Sequence, residues 1–183
     1  MWTGAILAGT EENDPITGVI DWEFACLGRG VNGDMSQLMA HLHLFKLAAE
    51  GRGEELLLQG ITSLIQSITS TYHEQSIKEA AKWMPGPVTP LNTLQATVMR
   101  SAFLAHGAEI VNCAFWKAWP CDDKGCGQPH PAERRDCRLI QRMIQVATWY
   151  LDRAGEDEAK FADTPNWDKL RDDPFITPLF RSS

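Results

Sequence analysis

Apolar residues fall into two patterns along this chain, one at its start and another over most of its length. Ala5-Ile6-Leu7-Ala8 is a compact apolar run, and Thr17-Gly18-Val19-Ile20-Asp21-Trp22 is a second run rich in β-branched and aromatic residues. Between them lies the polar stretch Gly9-Thr10-Glu11-Glu12-Asn13-Asp14-Pro15. Two such runs around a loop of Asn, Asp, Pro and Gly predict a β-hairpin. A glycine-bearing loop follows, Leu27-Gly28-Arg29-Gly30-Val31-Asn32-Gly33.

From Asp34 onward the period changes to that of a helix. Asp34 is a good N-cap, with Gln37 three residues on as its capping-box partner. Leu38, His41, Leu42 and Phe45 share a face, and Gly51 is the expected stop. Leu57, Ile61, Leu64, Ile65, Ile68 and Tyr72 predict the apolar face of a second helix. Met84-Pro85-Gly86-Pro87-Val88-Thr89-Pro90 breaks the pattern, and a third helix is expected from Leu91 to about Trp116. Residues 119–131 form a loop dense in Pro, Gly and Asp. A fourth helix carries Ile140, Met143, Ile144, Ala147 and Leu151 on one face and ends at Gly155. The tail, with Pro165, Pro174 and Pro178, reads as irregular with short helical turns. The predicted fold class is mainly α: a short N-terminal hairpin (1–33), an α-helical bundle (34–155) and an irregular tail (156–183), all in one domain.

Composition narrows the function classes. The 183 residues are 44% hydrophobic and 22% charged, as in an ordinary globular domain. The formal net charge of −7 argues against a binder of nucleic-acid backbone, and nothing basic interleaves with the tryptophans to suggest base stacking. They read instead as core or groove anchors. No apolar run approaches the ~20 residues that span a bilayer, and the first residues lack the features of a secretory signal. The chain reads as soluble and cytoplasmic. Its five cysteines, Cys26, Cys113, Cys121, Cys126 and Cys137, are an odd number and are expected as free thiols. Cys121 and Cys126, with His130 and Cys137 nearby, invite a zinc reading, but the spacing departs from the usual ligand rhythm. Of His41 and His43, one is expected against the core and one toward water. His73 and His106 read as isolated. Glu156-Asp157-Glu158 and Asp172-Asp173 read as solvated charge.

The chemistry is concentrated in Val19-Ile20-Asp21-Trp22-Glu23-Phe24-Ala25, followed by Gly28 and then Asp34. An aspartate at the end of an apolar strand is costly unless it is solvated, paired or bound to a metal. Phosphoryl transfer uses such a group as a hard oxygen ligand for the magnesium that bridges nucleotide phosphates. The pattern Ile-Asp-Trp-Glu-x-Ala-x-x-Gly, with a later Asp opening a helix, resembles the metal-binding segment of the aminoglycoside phosphotransferase and choline kinase family. That segment occupies the place of Asp-Phe-Gly in protein kinases.

The resemblance implies the C-terminal lobe of a protein-kinase-like fold, with Asp21 as magnesium ligand and Asp34 bracing the loop. It implies ATP γ-phosphoryl transfer to a small-molecule hydroxyl, with magnesium and ATP as cofactors and the helical bundle supplying the acceptor pocket. An amine-bearing acceptor would suit an acidic pocket. The family's catalytic loop is similar to His-Gly-Asp, four residues, Asn, then Ile-Leu. Met1-Trp2-Thr3-Gly4-Ala5-Ile6-Leu7 looks like its second half, with Ala5 where the second magnesium-binding Asn is expected. The chain therefore reads as a truncated lobe without the catalytic Asp and the nucleotide-binding lobe, inactive by itself, with no tightly bound cofactor. Trp2, Ile6, Val19 and Trp22 are expected to form an exposed cleft face open to self-association. The alternative is a catalytically dead helical module that binds a ligand or a partner.

Overall fold

The computed structural model describes residues 6–8, 17–19, 33–83, 93–119, 137–157, 161 and 173–180, with backbone alone for both strands and for 76–83 and 93–96. The protein is mainly helical. Two three-residue strands, β1 (Ile6–Ala8) and β2 (Thr17–Val19), pair antiparallel with Ile6 opposite Val19 and Ala8 opposite Thr17. Four long helices follow: α1 (Asp34–Arg52), α2 (Glu55–Trp83), α3 (Thr93–Trp116) and α4 (Arg138–Gly155). A single helical turn, α5 (Thr177–Phe180), lies in the tail.

α1 is the central element, packing on α2, α3 and α4. Its sequence explains this position. Leu38, Met39, Ala40, Leu42, Leu44, Leu47, Ala48 and Ala49 are all buried, so apolar residues occupy more than one stripe. A helix apolar on several faces must be enclosed by neighbours. α4 is the opposite case: Ile140, Met143, Ala147, Tyr150 and Ala154 recur at intervals of three and four, making one stripe that packs on α3. Gly107 sits at that contact. A Cβ there would lie 2.9 Å from Leu151 Cγ and 3.1 Å from the Ala147 carbonyl oxygen, so only glycine allows the two helices this approach. Phe103, Phe161 and Phe175 are fully buried at the centre, joined by Met39, Met99 and Met143.

The ends of α1 differ from the sequence expectation in detail. Gly33, not Asp34, is the cap residue, and no side chain caps the helix by hydrogen bond. Asp34 stands in the first turn, where a carboxylate is favoured by the helix dipole. The helix runs past Gly51, which is compatible with helical backbone, and stops at Gly53 with φ 66°. Gly53 N–H donates to the Glu50 carbonyl and Glu54 N–H to that of Ala49, the paired bonds of a Schellman stop. On α2, Ile61, Ile65 and Thr69 are buried, whereas Leu57 and Leu64 lie exposed, as does Leu56 at 85%. The buried stripe of α2 is thus narrower than its apolar pattern. No helix among the described residues is long and apolar enough to cross a membrane.

Candidate functional site

Asp21, the residue expected to hold magnesium, lies outside the described residues, as do Ala5, Glu23, Cys121, Cys126 and His130. Cys137 is described, buried beside the start of α4. What the structure does bring together is a cavity of about 520 Å³ between α1, α4 and the tail. His43, Lys46, Leu47 and Glu50 line one side, at i, i+3, i+4 and i+7 of α1. Arg142, Val146, Trp149 and Tyr150 face them from α4, and Asp173, Pro174 and Phe175 close one end. Two helices each expose one stripe to a shared space, so the wall follows directly from helical period.

Beneath this wall runs a chain of hydrogen bonds whose direction is fixed by its ends. The Ser36 carbonyl oxygen can only accept, so His106 Nδ1, 3.2 Å away, carries a proton and donates it. His106 Nε2 is then a bare lone pair and accepts from His43 Nδ1–H at 3.2 Å. That leaves His43 Nε2 as an acceptor, on a ring that lines the cavity and stacks on Phe175 with centroids 3.7 Å apart. Burial holds the His106 pKa down to about 3. Burial, then His106, Lys46 and Arg142, lower that of His43 as well, so both imidazoles are neutral.

Asp173 anchors the far end. It accepts from the Tyr150 hydroxyl, from the backbone N–H groups of Phe175, Ile176 and Thr177, and from Thr177 Oγ1. These bonds cap α5 and tie the tail to α4. Burial nonetheless raises the Asp173 pKa, with the Tyr150 hydroxyl and the three backbone N–H groups pulling the other way. At the rim, Glu50 pairs with Arg142 at 2.5 Å and with Lys46 at 3.7 Å. Lys46 Nζ also lies 5.8 Å from the Phe175 ring centroid. The cavity can therefore hold a small molecule against aromatic faces, with a neutral imidazole and a mixed-charge rim for its polar groups.

A second cluster lies on the other side of α1. His41 Nε2 is 3.0 Å from Glu109 Oε1, and the Cys113 thiol donates to the same oxygen at 3.2 Å. Lys117 Nζ reaches His41 Nδ1 at 2.8 Å. The hydrogen bond from His41 lowers the Glu109 pKa, whereas burial and then Glu109 push the Cys113 thiol up to about 12. Cys113 is thus a protonated thiol, not a nucleophile.

The histidines depart from their sequence reading. His41 and His43 are both hydrogen-bonded to groups on α3, Glu109 and His106 respectively, and His43 also packs its ring on Phe175 of the tail and Tyr150 of α4. His106, read as isolated, sits at the centre of the polar chain. His73 Nε2 is buried with no hydrogen-bond partner among the described residues. Asp173, read as solvated charge, is buried. The available signal was Asp173 with Thr177 four residues on, a side-chain cap pattern interrupted by Pro174. Compared with protein-family models, with curated proteins and with solved structures, the chain matches none.

Proposed function

We propose that the chain is the helical, substrate-side lobe of a phosphotransferase resembling the aminoglycoside phosphotransferase and choline kinase family. The observation that carries this reading is the order of parts around Asp21. The Ile20-Asp21-Trp22-Glu23 segment comes directly after a paired strand, and Asp34 opens the helix that follows. In this reading Asp21 holds the magnesium of a magnesium–ATP complex, and the γ-phosphoryl group passes to a hydroxyl on a small acceptor. Phosphoryl transfer rests on positioning and charge neutralisation. The 183 residues contain no His-Gly-Asp to supply the base, and Ala5 cannot ligate a cation. The chain alone therefore does not transfer phosphate, and a single carboxylate gives it no tight magnesium site.

The cavity between α1 and α4 is the acceptor pocket in this proposal. Its described wall offers Lys46 and Arg142 against Glu50, so an amine-bearing acceptor competes with both cations for that carboxylate. Ring or alkyl parts of the acceptor gain more from Trp149 and Phe175. The second reading, a ligand-binding module without catalysis, is favoured by one fact: α1, α4 and residues 173–175 supply the described lining of this cavity, with polar and aromatic groups of their own.

The coding sequence upstream of Met1 and a phosphotransfer assay separate the two. An in-frame His-Gly-Asp, with ATP-dependent phosphorylation by the extended protein that is lost in Asp21→Ala, is the expected result. Turnover by the 183-residue chain overturns its inactivity alone, and an extended protein whose activity survives Asp21→Ala overturns the phosphotransferase reading.

A further inference from the structure

Glu109 and Cys113 stand one helical turn apart on α3, which stacks their side chains on one face. That face meets His41 of α1. The three ligating atoms converge: Nε2 to Oε1 is 3.0 Å, Oε1 to Sγ is 3.2 Å, and Sγ to Nε2 is 3.7 Å. A tetrahedral zinc ion, with bonds of ~2.1 Å to nitrogen or oxygen and ~2.3 Å to sulfur, holds such ligands roughly 3.3 to 3.6 Å apart. The observed separations straddle that range, so small side-chain shifts admit an ion. His41 is 3% exposed and Glu109 is 18% exposed, so the cluster opens to solvent at the carboxylate. Nitrogen, sulfur and oxygen donors select a zinc-class ion; magnesium takes oxygen donors and keeps its waters.

We propose that His41, Glu109 and Cys113 form a three-ligand site for a zinc-class divalent ion, with the fourth position open to water beside Glu109. The geometry is independent of Asp21 and of the phosphotransferase reading. Without metal the same residues make a closed set of hydrogen bonds, and Lys117 decides between the two states. Lysine only donates, so Lys117 holds Nδ1 of His41 as an acceptor and leaves the ring proton on Nε2, facing Glu109. A metal at Nε2 requires the other tautomer. The proton moves to Nδ1, Lys117 gives up its contact and turns outward, and the Cys113 thiol releases its proton to solvent. One proton leaves per ion bound. The thiolate and the Glu109 carboxylate then balance the ion's two charges, which leaves the lysine charge surplus. Lys117 therefore competes with the metal for His41.

The test is titration of the metal-stripped full chain with cobalt(II), whose absorption reports tetrahedral thiolate ligation. One equivalent should produce the tetrahedral visible bands and a sulfur-to-cobalt charge-transfer band, both erased by zinc. Cys113→Ser should lose the charge-transfer band, while a Cys121→Ser, Cys126→Ser, Cys137→Ser triple variant keeps it. Lys117→Met removes a charge and a competing donor, and should tighten cobalt binding about tenfold or more. This variant alters a half-buried side chain and keeps the proposal testable if Cys113→Ser fails to fold, which circular dichroism reports. No tetrahedral spectrum in the wild type, a band that follows the other cysteines, or no tightening in Lys117→Met overturns the assignment.

Discussion

Acidification should unfold this protein through His106. The ring is fully buried, and burial sets its pKa at about 3 in the folded chain against an ordinary value of 6.5. Between those two values the unfolded chain binds a proton that the folded chain refuses. Stability therefore falls as pH falls. The contribution is fully present above about pH 6.5 and shrinks by ~1.4 kcal/mol for each unit below it. At about pH 4.5 the loss from His106 alone is ~2.7 kcal/mol, a large share of the ~5–15 kcal/mol that holds a typical domain together. His43 is shifted the same way and adds to the loss. Asp173 acts in the opposite sense, because its raised pKa means that the buried carboxylate costs stability when ionised and acid relieves that cost. Urea unfolding at pH steps between about 7 and 4.5 measures the sum. His106→Gln isolates the share of one ring: the variant starts less stable, but its stability should depend less steeply on pH than the wild type's. An equal slope in the variant and the wild type would refute the buried neutral imidazole.

Two further substitutions test the packing. Asp173→Ala strands the Tyr150 hydroxyl and three backbone N–H groups in the interior and should cost ~3 kcal/mol or more, whereas Tyr150→Phe, which removes one donor, should cost ~1 kcal/mol. Equal effects in urea unfolding would mean that the carboxylate does not clasp the tail. Gly107→Ala drives a Cβ into Leu151 and should lower stability by ~1–3 kcal/mol. Leu151→Ala in the same chain should recover part of that loss, and additive losses would show that the two residues do not collide.

Helices were legible wherever one apolar stripe repeated, as with Ile140, Met143 and Ala147 on α4. Their ends were less so, because Gly51 and Gly53 offer the same residue type. Only the second adopts the left-handed backbone that ends α1. The candidate sites were harder to read. His41 and His43 each need partners about 65 to 130 residues away, such as Cys113, His106 and Phe175, and periodicity within a helix says nothing about which helix comes to face it. Asp173 misled for a related reason. A carboxylate beside another acidic residue and a proline looks solvated until its five donors are assembled by the tail's return to α4. The reverse also held for α2, where Leu57 and Leu64 follow a helical stripe but face solvent.

The clasp made by Asp173 bears on how the protein is made. α1 and α4 emerge from the ribosome before residues 173–177, and until that segment arrives their facing stripes have no cover at one end. During synthesis Tyr150 lacks its acceptor and His43 lacks the Phe175 ring it stacks on. The part of the cavity wall made by Asp173, Pro174 and Phe175 is therefore the last to be synthesised. A ligand that fits the complete cavity can steady only chains that have translated through the clasp, so it would raise the yield of folded protein without speeding its earliest folding steps.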